Sequence, residues 1–216
     1  MTSETATLYS SSEIEALAVK AARGAGFDWG MAEEAGMAVR RLTEAGLPGA
    51  GLLLALLEAD RGVAPDLASL TRWHSPSGRA LCPLLSGSTL SDYATLFDGS
   101  DVILHRLGHP ALILPFAAQV ASRLNQSLRL VWRGADVIVD QGQLHPIRTD
   151  TLLAMAVDKV TVSFEASGLF VAEPRQTGGF APVHVWQRLD QLALATTVPA
   201  TGSSRANAGA GNPDND

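Results

Sequence analysis

The sequence KVTVSFE at residues 159–165 decides the fold class that we predict for this protein. Val160, Val162 and Phe164 alternate with Lys159 and three further polar residues, which is the period of a β-strand with one buried face. Such alternation is typical of an antiparallel sheet that has one face on the core and the other in solvent. We therefore expect the neighbouring sequence to supply further strands.

Short turns join this strand to others of the same kind. Residues 128–133 alternate in the same way, and a turn leads from them into a second strand at 137–139, as in a hairpin. Further strands are predicted at 144–148 and 169–172 and, from short apolar runs, at 102–104 and 112–114. Pro115 then suits the first turn of a helix through Leu124. The short turns favour an antiparallel meander over a doubly wound parallel sheet.

The first 60 residues instead repeat their apolar positions with a helical period. One helix is predicted to begin at Ser12, where Glu15 has the spacing of a capping box, and to end at Gly24. A second helix is predicted at 28–46, and a third at 50–60 is apolar all round and therefore buried. Further helices are predicted at 67–73, 88–97 and 182–195.

These patterns predict an α+β fold, in which an N-terminal helical layer packs on a mostly antiparallel sheet. We expect residues 1–11 to be a flexible N-terminus and residues 12–198 to form a single domain. Within that domain, 12–60 is the helical subregion and 102–172 contains mainly strands. Residues 199–216 are rich in Gly, Asn and Asp, a composition typical of a tail.

The overall composition excludes several classes of protein. Of the 216 residues, 46% are hydrophobic and 18% are charged, so the chain can bury a core and is not expected to be disordered. The formal net charge of −6 argues against nucleic-acid binding. The longest apolar runs, at 52–57 and 111–118, are too short to span a membrane, and we see no secretory signal. We therefore expect a cytoplasmic protein without a membrane partner.

The negative charge is concentrated in residues 1–60, which hold four basic and nine acidic residues. Within them, the sequence KAARGAGFDWGMAEEAG at 20–36 places a glycine-rich connector between two predicted helices. The N-terminus of the second helix offers free amide donors to an anion, and Arg23 could add a bidentate contact. One interpretation is therefore a site for a small ligand.

The other interpretation of this segment is a plain helical hairpin, with Trp29 in the core and Lys20, Glu33 and Glu34 in solvent. No strand precedes the connector, and the spacing of a phosphate-binding loop is absent. The residues taken alone favour this hairpin.

Three further groups of residues are candidates for a catalytic, metal-binding or ligand-binding role. Cys82 could be a nucleophile beside His74, His105 or His109, but its apolar neighbours favour a buried, inert thiol. His105 and His109 have metal-ligand spacing, with His145 or Asp101 as a third ligand, but Gly108 and Pro110 interrupt the helix that such a pair needs. We expect no metal and no cofactor. The last group, which could bind a carboxylate or simply face solvent, comprises Arg129, Arg133, Arg148 and Arg175.

The two ends of the chain resemble a bacterial, mainly proteobacterial, family of unknown function. The resemblance rests on KAARGAGxxWGxAEEAG at 20–36 and on GAGxxDND at 209–216. Where that family has Leu-Thr in its terminus, this chain has Asn212 and Pro213. The resemblance implies a cytoplasmic single-domain protein of small-molecule metabolism and assigns no catalytic residues.

The resemblance leads to a hypothesis in which the two ends meet at one site. Arg23 and Trp29 would bind a ligand, with Glu33 or Glu34 as the general acid or base. The residues that would close this site from the C-terminal tail are Ser204, Arg205 and Asp214.

The function that we predict is an enzyme, or an enzyme subunit, that acts on a small polar organic acid or amide. The alternative is a non-catalytic accessory protein that binds a metabolic enzyme, and a third possibility is a sensor of a small ligand. The partners that we expect are accordingly a small molecule or another protein.

Overall fold

The computed structural model describes residues 6–97, 99–165 and 174–195. This part of the chain contains six α-helices and eight β-strands. The helices are α1 (Ser11–Gly24), α2 (Trp29–Glu44), α3 (Gly49–Glu58), α4 (Pro83–Asp92), α5 (Leu114–Leu124) and α6 (Val183–Leu194). The strands are β1 (Ala6–Ser10), β2 (Arg72–Trp73), β3 (Val102–Gly108), β4 (Ser127–Trp132), β5 (Ala135–Asp140), β6 (Gln143–Thr149), β7 (Ala156–Glu165) and β8 (Gly178–Pro182).

Six of the strands form one sheet in the order β2-β3-β7-β4-β5-β6. Every neighbouring pair is antiparallel except β2 and β3, so the prediction of a mostly antiparallel sheet is confirmed. The strand predicted at 159–165 lies within β7, between β3 and β4. Val162 is aligned with Val102 on one side and with Leu130 on the other, and all three side chains are buried. The alternation therefore marks the face of the sheet that packs on the helices.

The helices form a layer on that face, which confirms the predicted α+β class. α5 contacts β4 and β5 as well as α2 and α4. Its side chains Leu114, Phe116 and Val120 are buried. α1 and α2 form a helical hairpin, and α6 packs against α1. The helix predicted at 182–195 corresponds to α6.

The N-terminal boundary differs from the prediction. α1 begins at Ser11 with Ser10 as its N-cap: Glu13 donates its backbone N–H to Ser10 Oγ at 3.2 Å, and Ser10 donates its N–H to the Glu13 carboxylate at 2.8 Å. The prediction of Ser12 and Glu15 as the capping box was wrong, because the same Ser-x-x-Glu spacing occurs two residues earlier. Residues 6–10, expected to be flexible, pair with β8, and Tyr9 stacks on Trp186 of α6 with ring centroids 3.5 Å apart.

Three elements in the middle of the chain also differ from the prediction. The apolar run at 112–114 is not a strand, because His109 has a left-handed backbone (φ 39°) that ends β3, and Pro110 starts a 3₁₀ turn into α5. Residues 67–73 are not helical and end in β2. The helix predicted from residue 88 begins earlier, at Pro83, since proline is favourable in the first turn.

Part of the predicted organisation lies outside the described residues, namely the strand at 169–172 and the tail at 199–216. Among the described helices, none combines the length and the apolar character that a membrane span requires.

Gly24 provides a test of the contact between α1 and α6. A Cβ at this position would overlap the backbone carbonyl oxygen of Leu192 in α6. We expect Gly24→Ala to lower the free energy of unfolding by about 1–3 kcal/mol, because the two helices would have to separate. Urea unfolding measures the change.

Gly51→Ala is the matched control, since Gly51 lies in α3 and a Cβ there meets no atom within 4 Å. This substitution should leave stability unchanged or raise it by up to about 1 kcal/mol, the helix propensity of alanine over glycine. Equal losses in the two variants would contradict the packing described for Gly24.

Candidate functional site

The first predicted ligand-binding pair, Arg23 and Trp29, is in contact. The Arg23 guanidinium carbon lies 4.6 Å from the centroid of the Trp29 ring, and Arg23 Nη1 donates a hydrogen bond to the carbonyl oxygen of Phe27 at 2.5 Å. Trp29 is 66% exposed, so the hairpin interpretation was wrong to place it in the core. Its ring offers an open face at the start of α2.

The connector between α1 and α2 is braced by arginines. Arg61 donates a hydrogen bond to the carbonyl oxygen of Ala25, and its guanidinium lies 5.0 Å from the centroid of the Phe27 ring. Gly26 has a left-handed backbone (φ 94°), which glycine adopts without strain. Together with the hydrogen bond of Arg23, these contacts give the connector a structural role in shaping the helical hairpin.

Glu33 and Glu34, the predicted acid or base, lie on the first turns of α2. Glu33 is exposed, whereas Glu34 is half-buried. Burial raises the pKa of Glu34 above its usual 4.5, and the negative charges of Asp92 and Glu33 raise it further. Within the described residues no ion pair joins either glutamate to Arg23 or to Lys20, which is exposed. The structure thus brings Arg23 and Trp29 together, while the charges that act on Glu34 are those of Asp92 and Glu33.

Cys82 is fully buried at the start of α4, as we predicted. Burial raises the pKa of its thiol, which disfavours the reactive thiolate. His74 and His105 are exposed, whereas His109 is buried and its pKa is lowered by burial. Within the described ranges, no group of three His, Cys, Asp or Glu residues is placed to hold a metal ion.

The four arginines of the last predicted group lie in three different places. Arg129 forms a bidentate pair with Asp136, at 2.9 and 2.7 Å, and lies 3.6 Å from Glu165. This pairing lowers the pKa of Asp136 and raises that of Arg129. Arg133 and Arg148 are exposed at one end of the sheet, and Arg175 lies in the segment before β8.

Arg175 lines a cavity that was not predicted from the sequence. We name it the arginine cavity. The cavity has a volume of about 120 Å³ and lies between the end of α2, the start of α5, the turn from β5 to β6 and the segment at 174–176. Arg41 and Glu44 line it from α2, and Pro115 and Ala118 of α5 form an apolar wall. Leu144, Gln143 and Gln176 also contribute to the lining.

Two guanidinium groups meet in the arginine cavity. A Cβ at Gly142 would lie 3.2 Å from Arg175 Nη2 and 3.7 Å from Arg41 Nη1, so both cations approach the same point. Arg175 Nη2 also donates a hydrogen bond to the carbonyl oxygen of Gly142 at 3.2 Å. The peptide N–H of Gln176 donates to the carbonyl oxygen of Glu44 at 2.9 Å, which fixes this segment to the end of α2.

Arg41 has no ion-pair partner within 4.0 Å in the described part of the chain, although the charge of Glu44 favours its protonated form. Glu44 lies next to it on α2, but that carboxylate pairs with Arg40 at 2.8 Å, and Arg40 also pairs with Glu15 at 2.9 Å. Burial lowers the pKa of Arg41, and the positive charge of Arg175 lowers it further. An arginine stays protonated despite such a shift, so the cavity contains a positive charge that burial and Arg175 disfavour.

A second cavity of about 410 Å³ continues from this point toward the start of α1. It shares Arg41, Glu44, Arg175 and Gln176 with the arginine cavity and reaches Ser12. A ligand held by the two arginines therefore has room to extend. The sequence carries no signal that singles out Arg41, since Arg40 and Arg41 both have an ion-pair spacing to Glu44, at i, i+4 and i, i+3.

The pKa of Glu34 provides a test of its environment. We expect Glu34→Gln to stabilise the protein at pH 7 by up to about 0.5 kcal/mol, because the folded state disfavours the charged carboxylate. The gain should disappear at pH 3.5, below the usual pKa of 4.5, where the carboxyl is protonated in both the folded and unfolded states. Urea unfolding at both pH values measures it.

Glu33→Gln is the control, on the exposed neighbour in the same helix. It should give a smaller gain at pH 7. A gain for Glu34→Gln that persisted at pH 3.5 would contradict the electrostatic explanation.

Ser204, Arg205 and Asp214 lie outside the described residues, so their closure of the site at 20–36 stays a prediction. If the two ends of the chain meet, a protein that stops at Gly202 should melt about 2–4 °C lower, the equivalent of about 1 kcal/mol. Calorimetry measures the melting temperature. An unchanged melting temperature together with unchanged ligand binding would show that the two ends are independent.

Comparison with known proteins gives one match, over the N-terminal third of the chain. A family model described as "Protein of unknown function (DUF3726)" matches residues 9–82. This range includes the segment at 20–36, α1 to α3 and β2, and it includes Arg41 but not Arg175. No curated protein and no solved structure matches the chain. Over residues 9–82 the chain is therefore similar to a family whose function is unknown.

Proposed function

We propose that this protein binds a small organic acid, as its carboxylate, in the arginine cavity. The observation that carries the proposal is the approach of Arg41 and Arg175 to one point, with no carboxylate of the described residues within 4.0 Å of Arg41. We place the protein in the cytoplasm, in the small-molecule metabolism of a bacterium, as the resemblance of its two ends implies. As a second part of this proposal, we retain the ligand site that was predicted at residues 20–36.

Guanidinium groups suit a carboxylate because their N–H donors form two parallel hydrogen bonds with its two oxygens. Burial strengthens such contacts, since the half-buried Arg41 is less screened by water than a surface arginine. A bound anion would also offset the repulsion between Arg41 and Arg175, so binding should stabilise the folded protein.

The size and lining of the cavity favour a short ligand with polar ends. A volume of about 120 Å³ corresponds to about four water molecules, and the second cavity allows a longer ligand. Pro115 and Ala118 suit a short hydrocarbon segment, and the amides of Gln143 and Gln176 suit a hydroxyl or amide group. This combination supports a short organic acid or its half-amide.

Whether this protein is an enzyme depends on a general acid or base near the ligand. Glu44 is the acidic residue in the lining of the cavity, and its carboxylate is held by Arg40 at 2.8 Å. Ligand binding is therefore the better supported part of the predicted function. Catalysis by Glu33 or Glu34 remains a proposal that rests on the site at 20–36.

One observation favours the second candidate function, that of an accessory protein. Leu8 of β1 and Phe180 of β8 are directly opposite each other in the two-stranded sheet, and they are 62% and 71% exposed. Exposed apolar side chains that adjoin each other are typical of a surface that contacts another protein. Binding of an organic acid is compatible with this role.

Thermal unfolding with a short dicarboxylate tests the proposal. We expect succinate, at ten times its dissociation constant, to stabilise the protein by about 1.4 kcal/mol and to raise the melting temperature by about 3–6 °C. In Arg41→Gln this shift should be lost. The same substitution should stabilise the free protein, because it removes a cation that burial and Arg175 disfavour.

Arg72→Gln is the matched control, an exposed arginine on β2 far from the cavity lining. It should keep the full succinate shift at the same ionic strength. A shift that is equal in wild type and Arg41→Gln, or no shift with any acid from two to six carbons, would contradict the proposal.

A further inference from the structure

The sheet has a second concentration of positive charge, on the face opposite α5. Arg106, Arg133, Arg148 and Lys159 line a groove of about 810 Å³ there, which we name the basic groove. All four residues are exposed, and Asp158 is the acidic residue in the lining. In a protein with a net charge of −6, such a cluster is a local reversal of sign.

The register of the strands distributes these cations over several strands at one end of the sheet. His105 of β3 is aligned with Lys159 of β7, and Thr161 of β7 with Val131 of β4. Continuing that register by two residues places Arg133 opposite Lys159. Arg148 lies two strands further, on β6, where it is aligned with Asp136 of β5. Since Asp136 is aligned with Val131 of β4, Arg148 is displaced by two residues along the strands from Arg133 and Lys159. With strands about 4.8 Å apart, the four strand spacings from β3 to β6 spread these cations over about 19 Å.

These cations lack the acidic partners that other arginines of the sheet have. No carboxylate oxygen of the described residues lies within 4.0 Å of a charged nitrogen of any of the four. Arg148 contributes to lowering the pKa of Asp136, but that carboxylate is bound by Arg129. Arg129 therefore has an acidic partner on the sheet, whereas the four cations of the basic groove have none within 4.0 Å among the described residues.

We propose that the basic groove binds an extended acidic segment of a partner protein. A span of about 19 Å between the outermost cations matches about six residues of extended chain at about 3.3 Å each. The groove is too long for one small anion, which two adjacent arginines hold better. A single-stranded nucleic acid would need exposed aromatic rings for its bases, but the tryptophan in the lining, Trp132, is 2% exposed.

Apolar side chains beside the groove complete the surface. Met155 is 69% exposed between the lining residues Ala154 and Ala156, and Ile147, next to Arg148, is 60% exposed. Arginine and methionine are enriched in protein interfaces, where charge selects the partner and apolar contacts hold it. An acidic segment that contains one or two apolar residues fits this arrangement.

Fluorescence anisotropy with fluorescein-labelled octaglutamate and the full chain, in 50 mM salt, tests the proposal. We expect octaglutamate to bind and Arg133→Gln/Lys159→Gln to weaken its affinity about fivefold, since two of the four cations are lost. Arg72→Gln/Arg123→Gln removes the same charge from exposed arginines outside the groove and should change the affinity less than twofold. Melting temperatures of both variants establish that they are folded.

Three outcomes would overturn the proposal. The first is no binding of octaglutamate, and the second is an equal loss of affinity in the two double variants. The third is tighter binding of labelled octathymidylate, which would assign the groove to nucleic acid. Arg41→Gln distinguishes this surface from the arginine cavity: it should abolish the succinate shift and leave octaglutamate binding unchanged.

Discussion

Burial of α5 is the constraint on which the rest of the structure depends. Leu114, Phe116, Ala117 and Ala118 are at most 1% exposed and Pro115 is buried, so this helix needs apolar cover on all sides. The sheet covers it through β4 and β5, and α2 and α4 cover it from the helical layer. α4 approaches closely because Gly87 has no Cβ, and a Cβ there would overlap the ring of Phe116. α5 is therefore enclosed between the sheet and the other helices.

The same packing produces the arginine cavity. Pro115 and Ala118 are part of the buried helix and supply an apolar wall, while the end of α2 brings Arg41 over them. The segment before β8 is tied to α2 by the hydrogen bond from Gln176 to Glu44, and it brings Arg175 to the same place. Two cations are thus held together by backbone contacts that favour the fold and not by attraction between them. Unfavourable electrostatics of this kind are common at functional sites.

Much of the fold was predictable because its signals are local. The alternation at 159–165 and the helical periods of α1, α2 and α6 each report which face of an element is buried. The predictions failed where a local signal was ambiguous. A short apolar run such as 112–114 suits a strand or a buried helix equally, and the left-handed backbone of His109 decided between them. Two overlapping Ser-x-x-Glu patterns likewise fit the start of α1, and the prediction took the later one, whereas Ser10 and Glu13 form the capping box.

The two candidate sites also differ in whether local sequence could predict them. The segment at 20–36 is continuous, so its residues were found from the sequence, and the contact between Arg23 and Trp29 follows from their proximity on the chain. Arg41 and Arg175 are far apart in the chain and meet because α2 and the segment before β8 pack together. Local sequence determines the periods of helices and strands, since these depend on near neighbours. Tertiary packing determines which charges meet and which find a partner, because that depends on distances between elements that no sequence pattern records.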